Sequence, residues 1–573
     1  MNFTHRDPAL HAVLDRWIAP SDRALLDPLL DRLGADAAGR LDTLAATADK
    51  NPPTLEQFDR DGTRVDRIAY HPAYLELCRA AYSEYGLSAL SHRAGLHGWD
   101  TVPPHLVKYL ASYVFVQAEF GLACPVSMTD AAARTLRMFG DPEVFAPWID
   151  ALSSTDPDRS MTGAMFMTEI QAGTDIARTE TQAVPDSDGT GWRLTGRKWF
   201  ASNPDADVVV TLARFPGGAP GSTRGVGMFM VPRTLGNGDH NAYTIDRLKD
   251  KMGTRSMPSG EVTLHGAYAL QVGDLDRGFR QMAEMVNTSR LSNAMRSAAL
   301  MRRAVREAVD HVRSREVFGK RLFDQPLMRA TLLPLALDAE AALALVAYSS
   351  TRLQAADAGD PEARSLVRIL TPVAKHHVCK RARSVTGESM EIRGGNGYIE
   401  DWVSARLLRD AHLGSIWEGS SNVIALDVLR CMRKADGHRT LAGAMRTVLA
   451  ALGDDCADGR DELAHRWDVL EERGDRMLSG DDDVAQAECA RYTDDLARTT
   501  MATLLYDLAD DALARGAGHR SLLVAHAYLT GIAGQPCRVA TTHLDAVVDG
   551  TDVSRDAASA ASPRALTTTG ALR

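Results

Sequence analysis

The sequence predicts a mainly α-helical protein with a β domain near its middle. Hydrophobic residues make up 45% of the 573 residues and aromatic residues only 6%, and many of the apolar positions are Ala and Leu, which favour helices. Apolar residues recur at helical spacing before residue 160 and after residue 273. Between these two parts, short runs with alternation or β-branched residues are separated by turn residues, as is typical of strands.

The first predicted domain, residues 1–160, is helical. Apolar residues follow a spacing of three and four through residues 10–17 and again through residues 106–114, which indicates amphipathic helices. Asn51-Pro52-Pro53 and Asp61-Gly62 are turn signals, and we interpret them as connections between helices.

The second predicted domain, residues 161–272, is a small antiparallel β domain. Runs with strand character begin at Trp192, Val208, Val226 and Glu261. Turns rich in Gly, Pro and Asp separate these runs, so that each one is short enough to be a single strand.

The third and fourth predicted domains, residues 273–437 and 438–573, are helical. The clearest helices cover residues 327–354 and 363–387, and the apolar stretch 330–350 contains Pro334, Asp338 and Glu340. We therefore interpret that stretch as a core helix and predict no membrane partner. The fourth domain contains 14 Arg, no Lys and 22 acidic residues, a net charge of −8. This net negative charge disfavours DNA as a partner, because contacts between basic side chains and phosphate groups dominate DNA affinity. The alternative is a local basic stripe formed by some of the 14 arginines.

The cysteines argue against a metal centre. Seven of them are scattered along the chain, and none forms a C-x-x-C pair. An odd number of cysteines without C-x-x-C pairs argues against a disulfide framework and against a zinc site, so we predict no bound metal. Together with an N-terminus that has no apolar signal region, this predicts a cytoplasmic location.

Two segments in the predicted β domain have residue types suited to a flat ring or a phosphate. The first reads MFMTEIQAGTD from Met165, and its Thr and glycine turn offer a hydroxyl and backbone N–H groups. The second reads GRKWFASN from Gly196, where Trp199 and Phe200 are suited to stacking and Ser202 to hydrogen bonding. The alternatives are an ordinary turn for the first segment and core aromatic residues for the second. Taken alone, the second segment is more typical of a strand whose aromatic residues lie in the core.

Two further segments lie in the third predicted domain. In the segment from Arg315 to Gln325, Arg315 suits a phosphate and Phe318 an adenine, whereas the alternative is that Gly319 caps the preceding helix. The other comprises the glycine run of residues 392–398, whose backbone a dinucleotide can approach closely, and the segment 415–422. There Glu418 lies in an apolar, uncharged stretch, where desolvation would raise its pKa towards that of a general base. The alternative is an exposed loop glutamate.

In this order the four segments resemble the acyl-CoA dehydrogenase superfamily of flavoproteins over about residues 50–437. The patterns M-T-E-x-x-A-G-[ST]-D, R-x-x-F-G, G-G-x-G-Y and W-E-G-[ST]-x-N are all present. The chain is most similar to the AidB branch, named for a bacterial alkylation-response flavoprotein. It shares with that branch Asn51-Pro-Pro, Cys124-Pro-Val-Ser-Met-Thr and Arg247-Leu-Lys-Asp-Lys, and a length that allows an additional C-terminal helical domain.

The resemblance implies a fold, an assembly and a cofactor. The fold is an N-terminal helical domain, a middle antiparallel β domain and a C-terminal four-helix domain, here with the additional helical domain. The expected assembly is a homotetramer, a dimer of dimers, with FAD as cofactor. The residues that match cofactor-binding positions form three groups. At the flavin side they are Met167, Thr168, Gly173, Thr174, Trp199, Phe200 and Ser202. At the ADP portion of a neighbouring subunit's FAD they are Arg315, Phe318 and Gln325, and along the cofactor they are Gly394, Gly395, Trp417, Ser420 and Asn422.

Glu418 matches the catalytic base of the family. In the mechanism that the resemblance implies, this base removes the proton α to a thioester carbonyl while hydride from the β carbon passes to flavin N5. Some members carry the base on an earlier helix, where this sequence has Ser289, so Glu418 has no evident rival. The neighbouring Arg290 has two interpretations, a substrate contact or a tie between helices, and both stay open.

Three functions are compatible with these residues. The first is dehydrogenation of an acyl thioester, carried on CoA or a carrier protein, with an electron-transfer flavoprotein as acceptor. The second is an AidB-like flavoprotein that binds DNA, and the third is a flavin-dependent oxygenase or oxidase. Retention of the glutamate favours dehydrogenation, because the other chemistries often replace this base.

Overall fold

The computed structural model describes residues 2–187, 189–535 and 537–564. Its internal contacts divide the chain into two compact units. The helical unit consists of the described parts of Met1–Ala35, Pro104–Gln117 and Asn293–Arg573, and the sheet unit of Asp36–Pro103 and Ala118–Ser292. The four predicted domain boundaries stay a prediction, since this division groups distant segments by packing rather than by position in the sequence.

Proline and aspartate mark several helix starts. Asp7, Asp141 and Asp360 each precede a proline and accept hydrogen bonds from the first free backbone N–H groups of a helix. The helices are α1 (Pro8–Trp17), α2 (Pro20–Ala37), α3 (Arg40–Lys50), α4 (Pro72–Cys78), α5 (His105–Val116), α6 (Ala123–Phe139), α7 (Pro142–Leu152), α8 (Gly278–Ser314), α9 (Pro326–Asp357), α10 (Pro361–Ile392), α11 (Val403–Gly414), α12 (Ser421–Ala435), α13 (Gly437–Ala450), α14 (Ala457–Ser479), α15 (Asp482–Ala514), α16 (Arg520–Ile532), α17 (Arg538–Thr542), α18 (Leu544–Asp549) and α19 (Arg555–Ala560).

The strands form two hairpins and one larger sheet. They are β1 (Thr54–Phe58), β2 (Arg64–Ala69), β3 (Gly163–Phe166), β4 (Gln182–Pro185), β5 (Trp192–Ser202), β6 (Val208–Arg214), β7 (Val226–Pro232), β8 (Tyr243–Leu248), β9 (Ser259–Gln271), β10 (Glu316–Val317) and β11 (Lys320–Arg321). The seven-stranded sheet has the order β3-β6-β4-β5-β9-β7, with β8 paired to β9. The four predicted strand runs all lie within its strands.

This sheet is mixed rather than wholly antiparallel. Strand β3 pairs with β6 in parallel register, with Gly163 opposite Val208, and β4 also meets β6 in parallel. The other pairings are antiparallel. Strands β6 and β7 are buried along nearly their whole length, and such continuous apolar runs show no alternation from which a direction could be inferred.

The turn signals near residue 60 belong to a hairpin, not to a connection between helices. Strands β1 and β2 pair antiparallel, and Asp61-Gly62 lies in their turn with Gly62 at φ +84°. The Asp59 carboxylate accepts the backbone N–H groups of Asp61 and Thr63, both at 2.9 Å. The apolar residues of these strands, Leu55 and Phe58 in β1 and Val65 and Ile68 in β2, recur at a spacing of three, which is not the alternation that indicates a strand.

The core of the helical unit is built around α9. By length and composition this helix could cross a membrane, yet 78% of its most apolar stretch is buried within the protein, as expected for a core helix. Near the middle of α9, Glu340 forms a bidentate pair with Arg520 of α16 at 2.6 Å, and both side chains are buried. The additional C-terminal helices are therefore joined to the predicted four-helix segment by a buried ion pair as well as by apolar packing.

Candidate active site

In the sheet unit, the backbone brings two of the predicted flavin segments together. The Trp199 N–H in β5 donates to the Thr168 carbonyl oxygen at 2.8 Å, which joins the segment after β3 to the sheet. A Cβ atom on Gly173 would lie 3.8 Å from Thr168 Cγ2, so the glycine turn folds back on the threonine. Thr168, Trp199 and Ser202 are half-buried. The partly accessible Thr168 and Trp199 thus lie in adjacent segments, and Ser202 follows three residues later in the same strand as Trp199.

The remaining predicted residues of this group are more exposed. Phe200 is 52% exposed and Thr174 is exposed, while Met167 is half-buried beside Thr168. The alternative that Trp199 and Phe200 are core aromatic residues does not hold, because neither ring is buried within the unit.

A buried ion pair holds the Thr168 segment in place. Glu169 accepts hydrogen bonds from Lys198 Nζ at 2.8 Å and from Thr181 Oγ1 at 2.5 Å. Lys198 is fully buried and also donates to the Leu212 carbonyl oxygen. Burial would raise the pKa of Glu169, but the charge and hydrogen bond of Lys198 outweigh it and lower that pKa. Sequence reasoning did not assign this pair, although Glu169 lies in the M-T-E pattern and Lys198 precedes Trp199.

Three cations surround the Trp199 ring and share one carboxylate. Lys249 Nζ lies 3.7 Å from the ring centroid, and the guanidinium groups of Arg197 and Arg247 lie at 5.5 and 5.8 Å. The buried Glu261 accepts hydrogen bonds from all three, each at 2.7 Å. The cluster places positive charge beside an aromatic face, an arrangement suited to an anionic or electron-rich ring system.

This cluster predicts a pH dependence of stability. Burial raises the pKa of Glu261, but hydrogen bonds from Arg247 and Lys249 outweigh it and lower the pKa from 4.5 to about 2. A carboxylate with a lowered folded-state pKa stabilises the fold above its ordinary pKa and loses that contribution as pH falls through the folded value. We expect the denaturant midpoint of Glu261→Gln to lie below that of the wild type at neutral pH, and the gap to shrink below pH 4.5. A gap that does not change on acidification would contradict this assignment.

In the helical unit, Glu418 lies in the turn between α11 and α12 with a left-handed backbone. Its φ is +49°, and the following Gly419 has φ +104°. Two side chains of α10 fix this turn: the buried Lys375 donates to the Gly419 carbonyl oxygen, and His376 Nδ1 lies 3.0 Å from the Ser421 carbonyl oxygen. A non-glycine residue in this conformation persists where its surroundings enforce it, which is a mark of functional positions.

Buried cations lie beside the Glu418 turn. The guanidinium of Arg296, which is fully buried, lies 4.7 Å from the Trp417 ring centroid, and Lys375 approaches from α10. The surroundings thus contain positive charge that the uncharged sequence stretch does not reveal. His376 Nε2 also lies 3.6 Å from Asp494 of α15, so the additional helices contact a residue that anchors the turn.

The other predicted cofactor residues near this turn are accessible. Ser420 is the residue before α12, and both Ser420 and Asn422 are exposed. Cβ atoms on Gly394 and Gly395 would meet nothing within 4 Å, so their backbone is open to a ligand. Gly397 differs, because its missing side chain accommodates the Met390 carbonyl oxygen.

The segment from Arg315 forms a hairpin rather than a helix cap. Helix α8 ends at Ser314, and Phe318 and Gly319 form the turn between β10 and β11 with φ values of +51° and +79°. Phe318 is 99% exposed, Arg315 is exposed, and Gln325 Nε2 donates to the Val317 carbonyl oxygen at 3.1 Å. The Phe318 ring is therefore almost fully accessible at the tip of this hairpin.

Ser289 and Arg290 lie on α8. Ser289 is fully buried, and Arg290 donates to Asn287 Oδ1, one turn earlier, at 3.3 Å. Both interpretations of Arg290 stay predictions. Among the residues that the structure describes, no group of three or more His, Cys, Asp or Glu side chains could hold a metal ion.

Comparison with known proteins identifies the class. The model of the "Adaptive response protein AidB N-terminal domain" matches residues 1–159, that of the "Acyl-CoA dehydrogenase, middle domain" residues 164–267, and that of the "Acyl-CoA dehydrogenase, C-terminal domain" residues 276–432. The chain belongs to the acyl-CoA dehydrogenase family and is an oxidoreductase of that type. The predicted fold is confirmed, and FAD as cofactor is confirmed at the level of the family.

Two curated proteins and one solved structure are similar to this chain over most of its length. AidB of Escherichia coli (strain K12) is 36% identical over 443 residues, covering 75% of this chain and 78% of AidB. Acyl-CoA dehydrogenase family member 11 of Caenorhabditis elegans is 34% identical over 437 residues, covering 74% of this chain and 69% of the relative. The structure of Caenorhabditis elegans ACDH-11 in complex with C11-CoA covers 92% of this chain and 91% of that one, with 28% identity and a TM-score of 0.84. The resemblance to the AidB branch is thereby confirmed.

Proposed function

We propose that this chain catalyses FAD-dependent α,β-dehydrogenation of an acyl-CoA, with Glu418 as the base that removes the α proton. The observation that carries the proposal is the left-handed Glu418, held in a turn whose carbonyl groups are fixed by Lys375 and His376. A relative of the chain is in complex with C11-CoA, which supports a CoA thioester as substrate.

The residues present fit FAD. In the sheet unit, the half-buried Thr168 and Ser202 would hydrogen-bond the flavin, and Trp199 would line it beside the cations of the Glu261 cluster. In the helical unit, the open backbone at Gly394 and Gly395 would receive the dinucleotide. When bound, FAD supplies the acceptor for the hydride that leaves the β carbon of the substrate.

The protein's own part in the chemistry is positioning and proton removal. The two hydrogen bonds from α10 fix the backbone that directly follows Glu418, at Gly419 and Ser421, and so help to hold the base in its left-handed conformation. A base held in this way abstracts a proton without first losing conformational entropy. Hydrogen bonds to the thioester oxygen would acidify the α proton by stabilising the developing enolate charge.

Anaerobic mixing of the purified flavoprotein with acyl-CoAs of increasing chain length tests the proposal. We expect loss of the visible flavin absorbance with at least one acyl-CoA, and reoxidation by an electron-transfer flavoprotein. Matched acyl-carrier proteins show which carrier is used. Absence of bleaching with every thioester would overturn the proposal, and product hydroxylation with oxygen uptake would identify an oxygenase.

DNA is the weaker alternative, because most described arginines of the additional helices pair with acids. Carboxylates lie within 4 Å of Arg439, Arg446, Arg466, Arg473, Arg476, Arg515, Arg520, Arg555 and Arg564. Phosphate contacts dominate DNA affinity, and an arginine already neutralised by a carboxylate contributes little to them.

The exposed hairpin residue Phe318 provides a test of the expected oligomer. We propose that in a homotetramer its ring packs on the adenine of a neighbouring subunit's FAD, with Arg315 and Gln325 near the same ADP portion. Stacking of an aromatic side chain on a base contributes about 1–3 kcal/mol, so Phe318→Ala is expected to weaken FAD binding at least about fivefold.

Fluorescence titration of the apoprotein with FAD measures this effect, and sedimentation velocity gives the assembly. Leu327→Ala is the matched control, since Leu327 is 82% exposed but lies outside the hairpin. An unchanged FAD affinity in Phe318→Ala would contradict the assignment.

A further inference from the structure

A cavity of about 420 Å³ opens within the helical unit, and its lining contains none of the residues assigned to the flavin or to proton removal. Four helices line it: α9 and α10 from the third predicted domain, and α15 and α16 from the additional helices. Its volume falls within the range of small-molecule sites.

The charged part of the lining has an excess of positive charge. Lys380, Arg381 and Arg498 face two carboxylates, Asp338 and Asp494. Both carboxylates have partners: Arg381 Nε donates to Asp338 Oδ2 at 2.5 Å, and His377 Nδ1 lies 2.9 Å from Asp494 Oδ1.

Two of the cations remain available to a ligand. Within the described part of the chain, no carboxylate lies within 4 Å of Lys380 Nζ or of the Arg498 guanidinium, which come from different helices, α10 and α15. Two cations of this kind favour an anion, because charge-assisted hydrogen bonds are stronger than neutral ones.

The rest of the lining is largely apolar. Leu337 belongs to α9, and Ala527 and Ile532 belong to α16. The buried Tyr528 exposes no free hydroxyl, because its OH donates to Met501 Sδ at 3.8 Å. The cations thus come from α10 and α15, whereas this apolar surface comes from α9 and α16.

We propose that this cavity binds a small amphipathic anion, a carboxylate or a phosphate monoester with a short apolar group. Lys380 and Arg498 hold the anionic group, and the surface of α9 and α16 contacts the apolar group. The proposal does not depend on the proposed dehydrogenation. Its lining residue Asp494 does lie 3.6 Å from His376, which contacts the Ser421 carbonyl oxygen after the Glu418 turn.

Isothermal titration calorimetry of the FAD-loaded protein with hexyl phosphate and with hexanoate tests the proposal. Inorganic phosphate and hexanol, which represent the anionic half and the apolar half of the ligand, are titrated for comparison. We expect at least one of the two amphiphiles to bind, and to bind at least tenfold more tightly than either half. The tighter of the two identifies the anionic group. The Lys380→Met/Arg498→Met variant is expected to lose at least tenfold in affinity.

The matched control is Arg491→Met, which removes an exposed arginine of α15 that does not line the cavity. A second variant, Gly531→Leu, leaves the charges intact and fills the cavity, since a Cβ atom there would meet nothing within 4 Å. It is expected to lose binding as well. Equal affinity in the wild type and in both cavity variants would overturn the proposal, and so would binding of inorganic phosphate as tight as that of hexyl phosphate.

Discussion

Glu418→Gln is expected to abolish anaerobic flavin reduction by acyl-CoA. The amide has nearly the same shape as the carboxylate but cannot accept the α proton, so the rate of bleaching should fall by roughly 10²–10⁴-fold, the range for loss of a general base. Stopped-flow measurement of the flavin absorbance after mixing gives this rate directly. The backbone of the turn should be preserved, because Lys375 and His376 contact the carbonyl oxygens of Gly419 and Ser421, which the substitution leaves in place.

Two controls separate loss of the base from loss of the site. The flavin content and visible spectrum of Glu418→Gln should equal those of the wild type. Glu388→Gln carries the same substitution at an exposed position of α10 and should react at the wild-type rate. If the flavin of Glu418→Gln bleached as fast as that of the wild type, another group would have to accept the α proton, and the proposed role of Glu418 would be wrong.

Glu169→Gln is expected to cause the largest loss of stability. It leaves Lys198 fully buried without its carboxylate, and breaking a buried ion pair by removing one partner costs about 3–5 kcal/mol. The denaturant midpoint of the sheet unit should therefore fall strongly. FAD affinity should fall with it, because this pair holds the segment that carries Thr168.

The matched control for this loss is Glu180→Gln, the same substitution at an exposed position of the same unit. A second comparison is the double variant Glu169→Gln/Lys198→Met, which removes both charges and should recover much of the stability. A single variant as stable as Glu180→Gln would show that the pair does not hold the unit together.

Several elements could be predicted because their signal is local. The strands from Trp192, Val208, Val226 and Glu261 follow from their composition, and α9 and α10 from their helical spacing. The hairpin of β1 and β2 was missed, since its apolar residues recur at a spacing of three in each strand and do not alternate with polar ones. The parallel pairing of β3 with β6 was also missed, because pairing direction depends on segments that are distant in the sequence.

The sequence by itself determined the order of helical and sheet segments and identified the motifs of an acyl-CoA dehydrogenase. Its uncharged neighbours made Glu418 one candidate for a general base, and the resemblance to the family gave it that role. These conclusions need only short-range periodicity and residue chemistry within a few positions.

Only the tertiary structure decided the surroundings of those motifs. The left-handed turn at Glu418 depends on Lys375, 44 positions from the carbonyl group that it contacts, and Glu169 meets Lys198 across 29 positions. Two of the cations around Trp199, Arg247 and Lys249, come from β8 and the residue that follows it, about 50 positions from the ring. Contacts of this kind arise from the packing of whole elements, so the pattern of any single segment contains no sign of them.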